Sequence, residues 1–251
     1  MALSIDHIVI SVNDVTTAIE TYQERGFNAF YGGKHASGQT HNGLVVFDDG
    51  SYLELIAFVE PEKVDEGEFY DLVRSDKSEG YTGFALISDV LEADIARMRA
   101  AGINASDIKA GSRTRTDGEV LKWKMSSLDE GRNPFVITDE TPRILRVPAE
   151  GDNIKHRNTA QGVADVRILV QDFEEAVKRY TSIVGTSPLV QDSTAIFALA
   201  SGTITVATAH DDTEQDYLNQ YGAVPYQLTL IGKSDTILPQ EAHGARFVFT
   251  G

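Results

Sequence analysis

Cysteine is absent from this 251-residue chain. Disulfides, thiolate zinc centres and cysteine nucleophiles are therefore excluded. Basic residues are few. There are 22 Lys and Arg against 38 Asp and Glu, a formal net charge of −16 and a pI near 4.7. Such a charge repels nucleic acid and anionic membrane surfaces, so neither is an expected partner. No apolar run approaches the ~20 residues that span a bilayer. The start, Met1-Ala2-Leu3-Ser4, lacks a basic flank and an apolar core, which makes a cytoplasmic location the expectation. No P-loop, dinucleotide fingerprint or GxSxG elbow occurs, so no nucleotide cofactor is expected.

What is present is a repeat. The segment Asp6-His7-Ile8-Val9-Ile10-Ser11 and the helix-like stretch after it return as Asp165-Val166-Arg167-Ile168-Leu169-Val170 and its sequel. Asp14, Ala18 and Tyr22 fall on Asp172, Ala176 and Tyr180, each 158 positions later. Repeated strand–helix units bury a shared core that none could bury alone. The tyrosines lie on the apolar helical stripe and read as packing.

Periodicity gives the order strand, helix, strand, strand, strand over residues 1–60, and again over 81–141. Asp48-Asp49-Gly50 is a hairpin turn in the first unit. Gly32 to Gly38 reads as a flexible loop whose glycines permit positive φ, and Gly111 to Gly118 as a polar, basic loop. Residues 61–80 form an acidic connector with a short helix near Phe69, and 142–158 a second connector. A third unit covers 160–210. A partial fourth covers 223–251, with a loop at Pro239 in place of a helix. The expected class is α+β, with tandem βαβββ modules, curved mixed sheets and outer helices. Residues 1–141 make one lobe and 142–251 another. The incomplete fourth unit leaves a sheet edge open, which suggests a homodimer.

Ile5-Asp6-His7-Ile8-Val9, Gly32-Gly33-Lys34-His35, Thr40-His41-Asn42 and Tyr52-Leu53-Glu54-Leu55-Ile56 carry a family likeness. Together with tandem βαβββ units, they resemble glyoxalase-like domain proteins of the vicinal oxygen chelate superfamily. Asn133-Pro134-Phe135-Val136-Ile137 and His243-Gly244-Ala245-Arg246-Phe247 add to the likeness. It implies a concave inner surface carrying His7 and Glu54 as metal ligands. Related modules host lyases, isomerases, extradiol dioxygenases, epimerases and metal-free sequestering proteins, so the fold does not select the reaction.

The residues themselves bear on that choice. A carboxylate such as Glu54, set between Leu53 and Leu55, is costly to bury unless paired or bound to a cation. An imidazole with a carboxylate suits Zn, Fe, Mn or Ni. A Glu54 partnered by His or Arg without metal satisfies the same requirement. A third ligand would come from His41 or His35, or from His156 in the second connector. Aligning Ile10-Ser11 with Ile87-Ser88 puts Phe84 at the His7 position of the second unit, with Phe135 or Val136 near that of Glu54. Asp165 and Thr205 occupy these places in the third. A four-ligand centre built from two equivalent modules is thus not expected.

His35, Thr40, His41 and Asn42 offer donors and acceptors to a substrate. Arg113 and Arg115 could hold its carboxylate or phosphate. Trp123 could line the cup. The expectation is a metal-assisted lyase or isomerase acting on a small oxygenated molecule, with His7 and Glu54 as catalytic residues and a divalent metal held by His7, Glu54 and His41. The alternatives are a metal-free binding protein and an extradiol-type dioxygenase.

Overall fold

The computed structural model describes residues 3–63, 78–129, 132–233 and 240–251. The expected helix near Phe69 and the Pro239 loop lie outside the described residues. The first half contains β1 (Ser4–Ser11), α1 (Val15–Glu24), β2 (Ala29–His35), β3 (Thr40–Val46), β4 (Tyr52–Phe58), β5 (Gly80–Ile87), α2 (Leu91–Ala100), β6 (Lys109–Thr114), β7 (Val120–Leu128) and β8 (Arg132–Asp139). A single helical turn, α3 (Arg143–Arg146), follows. The second half contains β9 (Gly162–Leu169), α4 (Phe173–Val184), β10 (Leu189–Gln191), β11 (Thr194–Ala198), β12 (Thr203–Ala207), α5 (Asp212–Tyr221), β13 (Pro225–Ile231), β14 (Gln240–Ala242) and β15 (Ala245–Phe249).

Strands β1 to β8 close into a barrel in the order β1-β4-β3-β2-β6-β7-β8-β5. The other seven form a separate sheet, β10-β11-β12-β9-β13-β15-β14. The first module supplies one half of the barrel and the second module the other. They meet along a long antiparallel seam, β1 with β5, and a short one, β2 with β6, where only Lys34 with Thr114 and His35 with Arg113 pair. The expected concave inner face is the inside of a closed cylinder here. Closure removes the sheet edges that two separate modules would expose.

Helix starts follow the sequence. The Asp14 side chain accepts from the Thr17 amide at α1, and Asp172 accepts from that of Glu175 at α4. Helix α5 was not expected from its apolar pattern, since it buries only Glu214 and Leu218. Its signal is a cap, in which Asp211 accepts from the Glu214 amide and Glu214 reaches back to the His210 amide.

Strand alternation sorts the side chains into two cores. Ile8, Ile10, Leu53, Leu55, Phe84 and Leu86 face out of the barrel. They pack in one cluster with α1, α2, α4 and with Val166, Ile204, Leu228 and Phe247 of the second sheet. Val9, Ile56, Ala85, Leu121, Trp123, Phe135 and Ile137 fill the barrel interior. Burial of both strand faces explains why Ile8-Val9-Ile10 in β1 and Leu55-Ile56-Ala57-Phe58 in β4 run without polar alternation.

This register corrects the alignment made from sequence. His7 lies beside Tyr52 in β1 and β4, and Ala85 beside Phe135 in β5 and β8. The amides just past β1 and β5 mark the shared frame, since Val12 donates to the Ile56 carbonyl and Ser88 to that of Ile137. Ile56 thus corresponds to Ile137 and Glu54 to Phe135, one of the two positions expected, while His7 corresponds to Gly83 and Phe84 points outward. A bulge at Asp6, between the pairs Ile5–Leu86 and His7–Ala85, precedes this frame.

Candidate functional site

The interior of the barrel holds a small hollow of about 20 Å³ lined by His7, His35, Asn42, Tyr52, Glu54, Arg113, Trp123, Met125, Phe135, Ile137 and Arg146. That space admits an ion, a water or the reacting end of a small molecule. One wall is polar and comes from the first module. The facing wall is apolar and comes from the second, Arg113 excepted.

Glu54 is the centre of the polar wall. Its carboxylate is buried, and Asn42 Nδ2 donates to its Oε1 at 2.5 Å. His35 Nε2 stands 3.5 Å from Oε1, and His7 Nε2 stands 3.4 Å from Oε2. Burial alone pushes this acid up. The His35 contact, the His7 ring and the Asn42 amide outweigh burial and hold Glu54 at about 2. It is an anion across the physiological range.

His7 is oriented from behind. Its Nδ1 is 2.5 Å from Asp6 Oδ1, its ring stacks on Tyr52 at 4.6 Å, and Phe135 meets it edge-on. An Nδ1–H donated to Asp6 leaves Nε2 as the atom that addresses the hollow and Glu54. The bulge at Asp6 lets consecutive residues serve one site. Asp6 itself is fully buried. Burial would raise its pKa, but Arg146 holds it well below the usual carboxylate range, helped by its bond to His7 and by Arg143. Arg146 grips Asp6 with two bonds of 2.9 Å, and binds Asp139 through Nε at 2.5 Å and Nη2 at 3.0 Å. It also donates to the Tyr52 hydroxyl at 2.9 Å. Arg143 adds a 2.7 Å bond to Asp6. Both arginines come from α3, in what the sequence presents as a bare connector. Asp6, Tyr52, Arg143 and Arg146 were missed from sequence, because nothing local marks a connector arginine as the partner of an acid 140 positions earlier.

The structure gathers most of the expected residues and places three of them elsewhere. His35 and Asn42 line the hollow, and Thr40 Oγ1 lies 2.8 Å from His35 Nδ1. The expected loop around them is two strands, paired Gly33 with Asn42 and Lys34 with His41. Alternation then turns His41 outward, where it meets the Tyr31 hydroxyl, so it is not a ligand in the barrel. His156 is likewise elsewhere, bonded to the Asn28 amide and the Val46 carbonyl. Arg113 sits on β6, not in a loop, and faces inward, donating to Asn42 Oδ1 at 3.1 Å and to the Arg146 carbonyl at 3.2 Å. Arg115 lies past the end of β6, paired with Asp117, and does not line the hollow. Trp123 does, its indole lying against Gly111. Gly32 is also needed for space, not for an unusual φ. A Cβ there would come within 2.3 Å of both Arg113 Nη1 and Asn42 Oδ1.

His7, His35 and Glu54 have the residue types of a two-histidine, one-carboxylate metal centre. Their surroundings do not fit one. Glu54 Oε1 is already bound by Asn42, and Asn42 is tied to the buried guanidinium of Arg113, a like charge to any cation placed there. Among the described residues no group of three His, Asp or Glu side chains is placed to hold a metal ion.

A barrel of two βαβββ modules with histidine and glutamate projecting into it from the first and fourth strands defines the vicinal oxygen chelate class. A family model for the glyoxalase-like domain matches residues 5–184, and the chain belongs to that family. No curated protein matches the sequence. Among solved structures, the chain is similar to a hypothetical protein from Staphylococcus aureus at 14% identity, with a TM-score of 0.77 and 98% of each chain covered. It is also similar to a mutant 4-hydroxymandelate synthase from Streptomyces coelicolor, at 11% identity and a TM-score of 0.61, over 93% of this chain and 72% of that one. A fusion of a xylose isomerase-like TIM barrel with 4-hydroxyphenylpyruvate dioxygenase aligns at 12% identity and a TM-score of 0.52, over 93% of this chain and 38% of that one. At these identities the likeness is one of fold.

Proposed function

We propose that the protein is a lyase or isomerase that moves a proton on a small oxygenated molecule held in the barrel, with His7 and Glu54 as the working pair. The observation that carries this reading is the 3.4 Å gap between His7 Nε2 and Glu54 Oε2, both buried and both facing the hollow. The separation is too long for a good hydrogen bond, and both atoms face a group placed in the hollow beside them. His7 Nε2 takes the proton from a carbon next to a carbonyl, and the electron pair of that C–H bond moves onto the carbonyl oxygen. The imidazolium so formed lies between two anions, Asp6 at Nδ1 and Glu54 at Nε2. Returning the proton to another face or atom isomerises the substrate, and loss of a β-leaving group completes a lyase reaction. His35, Thr40 and Asn42 fix the Glu54 carboxylate, so little reorganisation accompanies the step.

The test is hydrogen exchange in D₂O, followed by NMR over a panel of small 2-oxo and 2-hydroxy compounds. The wild type should catalyse exchange next to the carbonyl. His7→Asn and Glu54→Gln should each lose at least about a hundredfold while staying folded. Elemental analysis runs in parallel. One divalent ion per chain that disappears in His7→Ala would overturn the metal-independent version of this reading. A second reading, sequestration of a small molecule, is favoured by the apolar wall of Trp123, Met125, Phe135 and Ile137. Tight ligand binding with no exchange across the panel would select it.

A further inference from the structure

Among the described residues two arginines are almost completely buried, Arg113 and Arg146, each 3% exposed. They are treated differently by their surroundings. Arg146 is enclosed by the carboxylates of Asp6 and Asp139. Arg113 has only neutral acceptors, the Asn42 side-chain oxygen and the Arg146 carbonyl, and no carboxylate lies within ion-pair distance among the described residues. Of the partly buried arginines, Arg167 pairs with Glu214 and Arg179 with Asp129, while Arg246 donates to the Tyr226 hydroxyl. A buried guanidinium without a paired anion is expensive and is kept where an anion arrives from outside.

The cation is also placed with care. Strand β6 pairs Arg113 with His35 across the short seam, so the two side chains enter the barrel together. Gly32 gives the guanidinium its space, and Asn42 lies between it and Glu54. The hollow beside it is about 20 Å³, and Trp123, Met125 and Phe135 form its far side. With a single guanidinium that lacks an ion-paired carboxylate, it matches a monoanion better than a phosphoryl dianion.

We infer that Arg113 is the anion anchor of the barrel, and that the substrate is a small monocarboxylic acid. The carboxylate lies on Arg113, and its neighbouring carbons reach the part of the hollow that His7 and Glu54 face. The guanidinium then also faces the negative charge that develops on oxygen as the proton leaves. The fate of the proton rests on the acid–base reading above, whereas the anchor does not.

Trp123, the one tryptophan of the chain, reports on occupancy. The experiment titrates the full-length protein with glyoxylate, pyruvate and lactate, with the methyl esters of the same acids, and with inorganic phosphate, following Trp123 fluorescence. At least one acid should bind tenfold or more tightly than its ester. Arg113→Gln should abolish that preference, weakening the acid at least about tenfold and leaving the ester unchanged. Esters that bind as well as every acid, or phosphate that competes as strongly as the best acid, would overturn the inference. If Arg113→Gln does not fold, the wild-type comparison of acid with ester decides by itself. The two readings separate in Glu54→Gln. An acid that still binds there or in the wild type, with no deuterium exchange in either, supports the anchor and sinks the acid–base role.

Discussion

Replacing Glu54 by glutamine removes a charge while keeping the shape, and the structure sets the size and pH dependence of the effect. Glutamine mimics the protonated acid. In the fold, Glu54 drops from the ordinary 4.5 to about 2. At about 1.36 kcal/mol for each pKa unit, protonating it in the folded state costs about 3 kcal/mol more than in the unfolded chain. A carboxyl whose folded pKa is depressed stabilises the protein fully above its unfolded value and loses that contribution as pH falls through the folded one. Glu54→Gln should therefore be about 3 kcal/mol less stable than the wild type at pH 7, or about 6 °C in Tm for a chain of this size. The difference should begin to shrink below pH 4.5 and vanish near pH 2. Urea unfolding of both proteins at pH 7, 5, 4 and 3 measures it. A glutamine variant as stable as the wild type at pH 7, or more stable, would refute the argument. It would mean that burial of the charge outweighs the histidines and Asn42, and that the acid is held at a cost to the fold.

Gly32→Ala should destabilise by about 1–3 kcal/mol, since its Cβ would meet Arg113 and Asn42 at 2.3 Å; a thermal melt within 1 °C of the wild type would contradict this. Asp6→Asn leaves Arg146 and Arg143 with Asp139 alone, and should cost about 3 kcal/mol or more by denaturation. It should also reduce any exchange activity, because Nδ1 of His7 loses its anionic partner. His41→Ala should leave both stability and ligand binding close to wild type, whereas His35→Ala should weaken both. Equal effects of the two histidines would place the inner face of β3 wrongly.

The site was legible in part because its chemistry is local to short segments. His7 on a strand, a carboxylate flanked by leucines at Glu54, and the run from Gly32 to Asn42 all announce themselves within a few residues. The face that each residue takes was less legible. With no strand assigned to Thr40 to Asn42, His41 and Asn42 looked equivalent. Once the segment is a strand, alternation sends one outward and the other to Glu54. Arg113 and Arg115 were paired in the sequence reading and separate in space, because β6 ends at Thr114. The one-residue error that placed Phe84 opposite His7 came from matching Ile10-Ser11 to Ile87-Ser88 by residue type, whereas the two strands end at Ser11 and Ile87.

Sequence alone determined the repeated βαβββ order, the helix starts at Asp14 and Asp172, and the acid and imidazole that face the hollow. These depend on the period of side chains along one element and on caps made three residues apart, and such distances are written in the chain. Tertiary structure alone decided that the first two modules close into a cylinder, that α3 delivers Arg146 to Asp6, and that Arg113 stands buried without an anion. Those outcomes follow from strands meeting across seams and from charges more than a hundred residues apart coming within 3 Å. Low-dielectric burial gives those contacts their strength, and no local pattern encodes it.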